Sequence, residues 1–100
     1  MKTRMIFYDL ESDLIRTRLA KKLLALGFIR IQYSVFCGCH TDSQWEYCKT
    51  EIDIILDVDF NEGDKVHILQ IKPILLKQMK FYGEALDLDQ IYMNKPVYWI

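Results

Sequence analysis

With one hundred residues, 51% of them hydrophobic and 27% charged, the chain has the size and composition of one globular domain rather than of a disordered segment. Its apolar runs are a few residues long, far short of the roughly 20 that cross a bilayer, and the N-terminus lacks the apolar core of a signal peptide, so a cytoplasmic protein with no membrane partner is predicted. The net charge of -1 argues against general attraction to a polyanion, but Met1 to Phe36 holds seven Lys/Arg against three Asp/Glu (+4), and Cys37 to Ile100 six against eleven (-5), an asymmetry that can present one cationic surface or simply solvated helix faces.

Met5-Ile6-Phe7-Tyr8 is a short apolar run followed by Asp9 and the polar Glu11-Ser12-Asp13 cluster, which predicts a strand entering a helix through a capping turn, with Asp9 at the strand's end. Ile15, Leu19, Leu23 and Leu26 then recur at helical spacing, and Gly27 is placed to stop that helix. From Phe28 to Cys39 the period becomes two, which predicts one half-buried strand with Ile29, Ile31, Tyr33, Val35 and Cys37 on one side and Arg30, Gln32, Ser34 and Phe36 on the other. Thr41 with Gln44 forms a capping-box pattern ahead of Trp45, Cys48, Ile52 and Ile55, a second helix. An acidic loop follows from Asp57 to Asp64. Val66 to Ile71 and Met79 to Tyr82 read as further strands, and the apolar Pro96-Val97-Tyr98-Trp99-Ile100 tail as a last one.

Two amphipathic helices interleaved with antiparallel strands predict an α+β, ferredoxin-like βαββαβ sandwich. A single domain would span residues 1–100, with residues 84–100 as a tail. Both helices would lie on one face of the sheet. The bare face, carrying Phe36, would be covered by the partner in a twofold homodimer, and the terminal strand could add to the partner's sheet edge.

A carboxylate at a strand end before a helix is a usual Mg²⁺ ligand position, but Asp is equally at home in turns, and one carboxylate is a poor metal site. Across a dimer axis Asp9 could meet its twin and offer two carboxylates to a cation. Arg16, Arg18, Lys21 and Lys22 flank the apolar stripe of the first helix, where they could meet phosphates or water alone. Arg30, on the polar side of its strand, needs a carboxylate, an interface or a phosphate. Tyr33 and Ser34 could stack on or hydrogen-bond a nucleotide, although packing accounts for Tyr33 and Phe36 more cheaply. Cys37, Cys39, His40 and Cys48 have the composition of a zinc site, but the Cys-x-Cys spacing is shorter than zinc sites usually use, and three cysteines in an unexported chain suggest reduced thiols. His67, within a strand, reads as structural. No glycine-rich phosphate loop or Ser/His/Asp order is present.

Tyr8-Asp9, the Arg16-x-Arg18-Leu19-x-Lys21 row and Gly27-Phe28-x-Arg30-x-Gln32-Tyr33-Ser34-Val35-Phe36 together resemble the small CRISPR-associated adaptation protein family, the lesser of the two spacer-acquisition subunits. Lys65-Val66-His67-Ile68 and Gly83-Glu84-x-Leu86-Asp87 match it in layout. The resemblance implies a homodimer that bridges copies of the larger CRISPR integrase subunit and holds short duplex DNA in antiviral defence. Family members are also described as endonucleases on RNA or double-stranded DNA that depend on Mg²⁺ or another divalent cation. It further implies Asp9 as catalytic and metal-binding residue, with Tyr8, Arg16, Arg18, Arg30 and Ser34 contacting nucleic acid or supporting the site. Phe36, Val97, Tyr98 and Trp99 would lie at the dimer interface. With no obvious general base the chain would be a slow enzyme or a structural element. A toxin-like ribonuclease of similar fold is the competing reading, and co-purification with the integrase subunit would argue against it.

Overall fold

The structure is a computed structural model and describes residues 1–84, 86, 87 and 89–93. Strand β1 (Lys2–Asp9) leads into helix α1 (Asp13–Ala25), strands β2 (Ile29–Gln32) and β3 (Val35–His40), helix α2 (Asp42–Leu56), strand β4 (Lys65–Ile71) and the short helices α3 (Pro73–Lys77) and α4 (Asp89–Met93). The four strands form one sheet in the order β2-β3-β1-β4, with β1 antiparallel to β3 and β4, and β2 antiparallel to β3. This is the ferredoxin-like βαββαβ arrangement that the sequence predicts.

Both long helices start at their capping signals, and α1 stops at its glycine. The Ser12 hydroxyl accepts the Ile15 N–H at the start of α1, and Gly27, at φ +88°, lets the Phe28 N–H reach the Leu23 carbonyl and close the C-terminus. At α2 the Gln44 N–H donates to the Thr41 hydroxyl while the Thr41 N–H donates to the Gln44 side chain, a complete capping box. Ile15, Leu19 and Leu23 of α1 and Trp45, Cys48 and Ile52 of α2 bury against Ile6 and Tyr8 of β1 and Phe36 of β3, the main core.

Four expectations are corrected. The stretch from Phe28 to Cys39 is a hairpin and not one strand: Gln32 pairs with Val35 across a turn at Tyr33-Ser34. Two-residue hairpin loops favour glycine or asparagine at positive φ, whereas no non-glycine residue among those described has positive φ. The mismatch is absorbed by a register shift between Arg30 and Gln32. Phe36 is fully buried under the helices rather than at a dimer interface, because Arg30 and Phe36 share the helix-covered face of the sheet. Burying such a ring stabilises the protomer by about 1.5–3 kcal/mol.

The other sheet face is not bare. Cys37 there packs with Leu76 and Ile91, with Met79 and Leu86 alongside, so the chain's own later segment covers part of it. Met79 to Tyr82 is no strand. Pro73 opens α3, and the Gln78 and Met79 amides donate to Leu75 and Leu76, which continues helical turns instead of a ladder. The terminal strand, with Val97, Tyr98 and Trp99, lies outside the described residues.

Candidate nucleic-acid interface

Asp9 ends β1, opposite Lys65 in the ladder, and it is exposed. Alternation sends it to the face away from the helices, since Tyr8 before it points into the main core. Among the described residues no hydrogen bond or ion pair engages its carboxylate. The turn that follows is held from two sides. Arg16 donates through Nη1 to the Leu10 carbonyl at 2.6 Å and the Glu11 carbonyl at 3.2 Å, and it pairs with Asp13 one turn earlier on α1. From the acidic loop, Asp64 accepts the Glu11 N–H at 2.8 Å. Arg16 therefore braces the strand-to-helix turn, and its charge is largely committed to that task.

Tyr8, Arg16, Lys21, Arg30 and Tyr33 converge on a cleft of about 300 Å³ between α1 and the β2–β3 hairpin. Tyr8 stacks on Phe36, with ring centroids 6.1 Å apart, and its N–H donates to the Ser34 carbonyl, which ties β1 to the hairpin turn; Ser34 itself does not line the cleft. Burial pushes the Tyr8 phenol up from its ordinary value, while the Arg30 guanidinium beside it pulls the other way. Arg30 donates through Nε to the Tyr33 carbonyl at 3.1 Å and lies 5.1 Å from the centroids of both the Tyr33 and Phe36 rings. The charge on the polar side of β2 is thus satisfied by aromatic faces and a turn carbonyl rather than a carboxylate. Tyr33 is 70% exposed at the hairpin tip, which corrects its assignment to packing. No local signal distinguishes it in the sequence, because alternation runs unbroken through the turn.

Arg18 faces the other flank of α1, where it borders a second cleft of about 350 Å³ with Lys21, Lys22 and Ile55. Lys22 there pairs with Glu51 at 3.2 Å. Lys21 borders both clefts and joins Arg16 and Arg30 to Arg18 in one cationic surface along α1. Asp9 is not part of it, so the structure divides the predicted site between two faces of the sheet.

The sheet also divides the cysteine and histidine cluster. Cys37 packs with Cys39 on the face away from the helices, whereas Cys48 lies in the main core and His40 is buried against Phe28, its Nε2 2.6 Å from the Leu26 carbonyl oxygen. Among the described residues no three His, Cys, Asp or Glu side chains could share a metal ion. Asp9 is an oxygen donor of the type that Mg²⁺ takes, and among the described residues no group of three such ligands includes it.

Comparison with known proteins decides what this arrangement belongs to. The family model described as CRISPR associated protein Cas2 matches residues 1–79. This chain belongs to the Cas2 family. The match covers β1 through α3, hence Asp9 and every residue of the cationic surface. A crystal structure of Streptococcus pyogenes Cas2 at pH 6.5 superposes with a TM-score of 0.66 at 18% identity, over 81% of this chain and 99% of that one, and so shares the Cas2 ferredoxin-like fold. No curated protein sequence matches the chain. No helix among the described residues is long and apolar enough to cross a membrane.

Proposed function

We propose that this Cas2 family member acts in CRISPR spacer acquisition as a homodimer that bridges copies of the larger integrase subunit and holds short duplex DNA, and that Asp9 carries a divalent-cation-dependent endonuclease activity on RNA or double-stranded DNA. The observation that carries the reading is the cationic surface along α1, where Arg30 and Lys21 border one open cleft and Lys21 continues the charge round the helix to Arg18 at a second. Phosphate contacts of this kind position a duplex without reading its sequence. Replacing Lys21 or Arg30 with Ala lowers the slope of log affinity against log salt by about 1 each.

Asp9 supports the second half of the reading by being exposed and free of partners among the described residues. A twin across a dimer axis would bring a second carboxylate, and the two Asp9 side chains would hold Mg²⁺ together with water. When bound there, the ion supplies charge neutralisation at phosphate oxygens and acidifies a bound water. Arg16 is a positioning residue: through the Leu10 and Glu11 carbonyls it holds the turn on which the Asp9 end of β1 rests. Asp9→Ala tests the assignment. Loss of metal-dependent cleavage with spacer acquisition retained makes the bridging role the biological one, whereas retained cleavage removes Asp9 from the nuclease.

A further inference from the structure

The C-terminal end of α2 combines two features that folding alone does not call for. Ile54 and Val58, one turn apart, are 59% and 62% exposed, and Phe60 is 52% exposed just beyond them. Together with Asp53, Leu56 and Asp57, Ile54 and Phe60 line an open groove of about 470 Å³. Three large apolar side chains exposed within seven residues form a patch of the kind that marks an interaction site.

The electrostatics of the groove select the occupant. The carbonyl end of a helix carries about half a negative charge, which lysine or arginine in the last turn normally offsets. The last turn of α2 has no basic residue. Instead Asp53 and Asp57, at i and i+4, add two carboxylates beside Ile54 and Val58, and Asp59 follows. Among the described residues no cation pairs with any of the three, for Lys49 is engaged by Glu46 and Lys22 by Glu51. Nucleic acid and anionic lipid are repelled from such a surface. A second copy of this chain would have to bring its cationic α1 face, which the duplex occupies in the reading above.

We infer that the groove at the end of α2 docks a protein partner that inserts apolar side chains between Ile54 and Phe60 and sets lysine or arginine against Asp53 and Asp57. Resting on the proposed function, that partner is the larger integrase subunit. The chain then separates its two duties by charge, nucleic acid on α1 and protein at the end of α2.

The experiment measures binding of the purified integrase subunit from the same CRISPR locus to the full chain, to Ile54→Ser/Phe60→Ser and to Asp53→Lys/Asp57→Lys. Duplex affinity, circular dichroism and mass by sedimentation are read in parallel. Each double variant is expected to weaken integrase binding about tenfold or more, as loss of interface anchors does, with mass unchanged and with duplex affinity unchanged by the serine pair and no weaker after the charge reversal. The charge reversal should also flatten the salt dependence of integrase binding, and because it leaves the apolar residues in place it serves as the second probe if the serine pair folds poorly. Equal integrase binding by the wild type and both variants overturns the docking site and leaves the bridging role standing. No binding by the wild type overturns both. A changed mass of the serine variant makes a second copy of the chain the occupant and overturns the inference.

Discussion

The Asp64 carboxylate accepts the Glu11 backbone N–H at 2.8 Å across 53 residues of sequence, and its second oxygen accepts the Asn61 N–H at 2.8 Å. One side chain thereby ties the acidic loop after α2 to the turn that follows Asp9. Asp64→Ala is expected to cost about 1–2 kcal/mol, since both amides lose a charged acceptor. Chemical denaturation checks the stability, and amide exchange at Glu11 should accelerate more than in the helices. Asp64→Asn, which keeps an acceptor, should restore part of both.

Gly38 is required by packing and not by its backbone angle. A Cβ placed there would lie 2.7 Å from Phe28 Cδ1 and 2.8 Å from His40 Cε1, both in buried rings. Gly38→Ala is expected to destabilise the fold by about 1–3 kcal/mol, read as a lower Tm. Gly63, whose φ is +93° with nothing within 4 Å of a Cβ, should respond through backbone strain instead.

His40 makes stability depend on pH. Its Nε2 faces a carbonyl oxygen, so the neutral ring donates from Nε2 to Leu26. Burial pushes its pKa below the ordinary 6.5, helped by Arg4 and opposed by the Leu26 contact. The unfolded chain therefore binds the proton more readily than the folded one, and stability present above pH 6.5 is lost as pH falls from there towards the lower folded value. Urea midpoints measured from pH 7.5 to 5 should decline for the wild type. His40→Gln should start lower and vary less over the same interval.

The thiols should separate by burial. Burial pushes Cys37 up to about 12 and Cys48 up to about 11, so both are protonated and shielded at neutral pH, whereas Cys39 is only partly buried. Iodoacetamide on the folded protein at pH 8 should alkylate Cys39 first, and all three should react in denaturant, as read by mass spectrometry. Equal native rates at Cys37 and Cys39 would contradict the packing of Cys37 against Leu76 and Ile91.

Both long helices are legible because their signals are local. Ser12 and Thr41 cap within three residues, and Ile15, Leu19 and Leu23 repeat on one face whatever they pack against. Alternation also sorts the outer part of Phe28 to Cys39, with Ile29 and Cys37 together on one face and Arg30 and Phe36 on the other, but it fails near the tip, where Gln32 and Val35 pair across the register shift. Which face the helices cover has no local signal. A period of two is the same for a straight strand and for a hairpin whose pairs share a face, so the turn at Tyr33-Ser34 and the burial of Phe36 both escape it.

The sequence by itself determined the Cas2 family, the two capped helices and the placing of Asp9 at the end of β1, because motif, capping and periodicity are properties of neighbours along the chain. Only the tertiary structure decided that Asp9 faces away from Tyr8, Arg16 and Arg30, that Arg16 is spent bracing a turn, and that Asp64 joins that turn from across the fold. Those facts depend on contacts between residues distant in sequence, which strand order and helix packing bring together and no local pattern encodes.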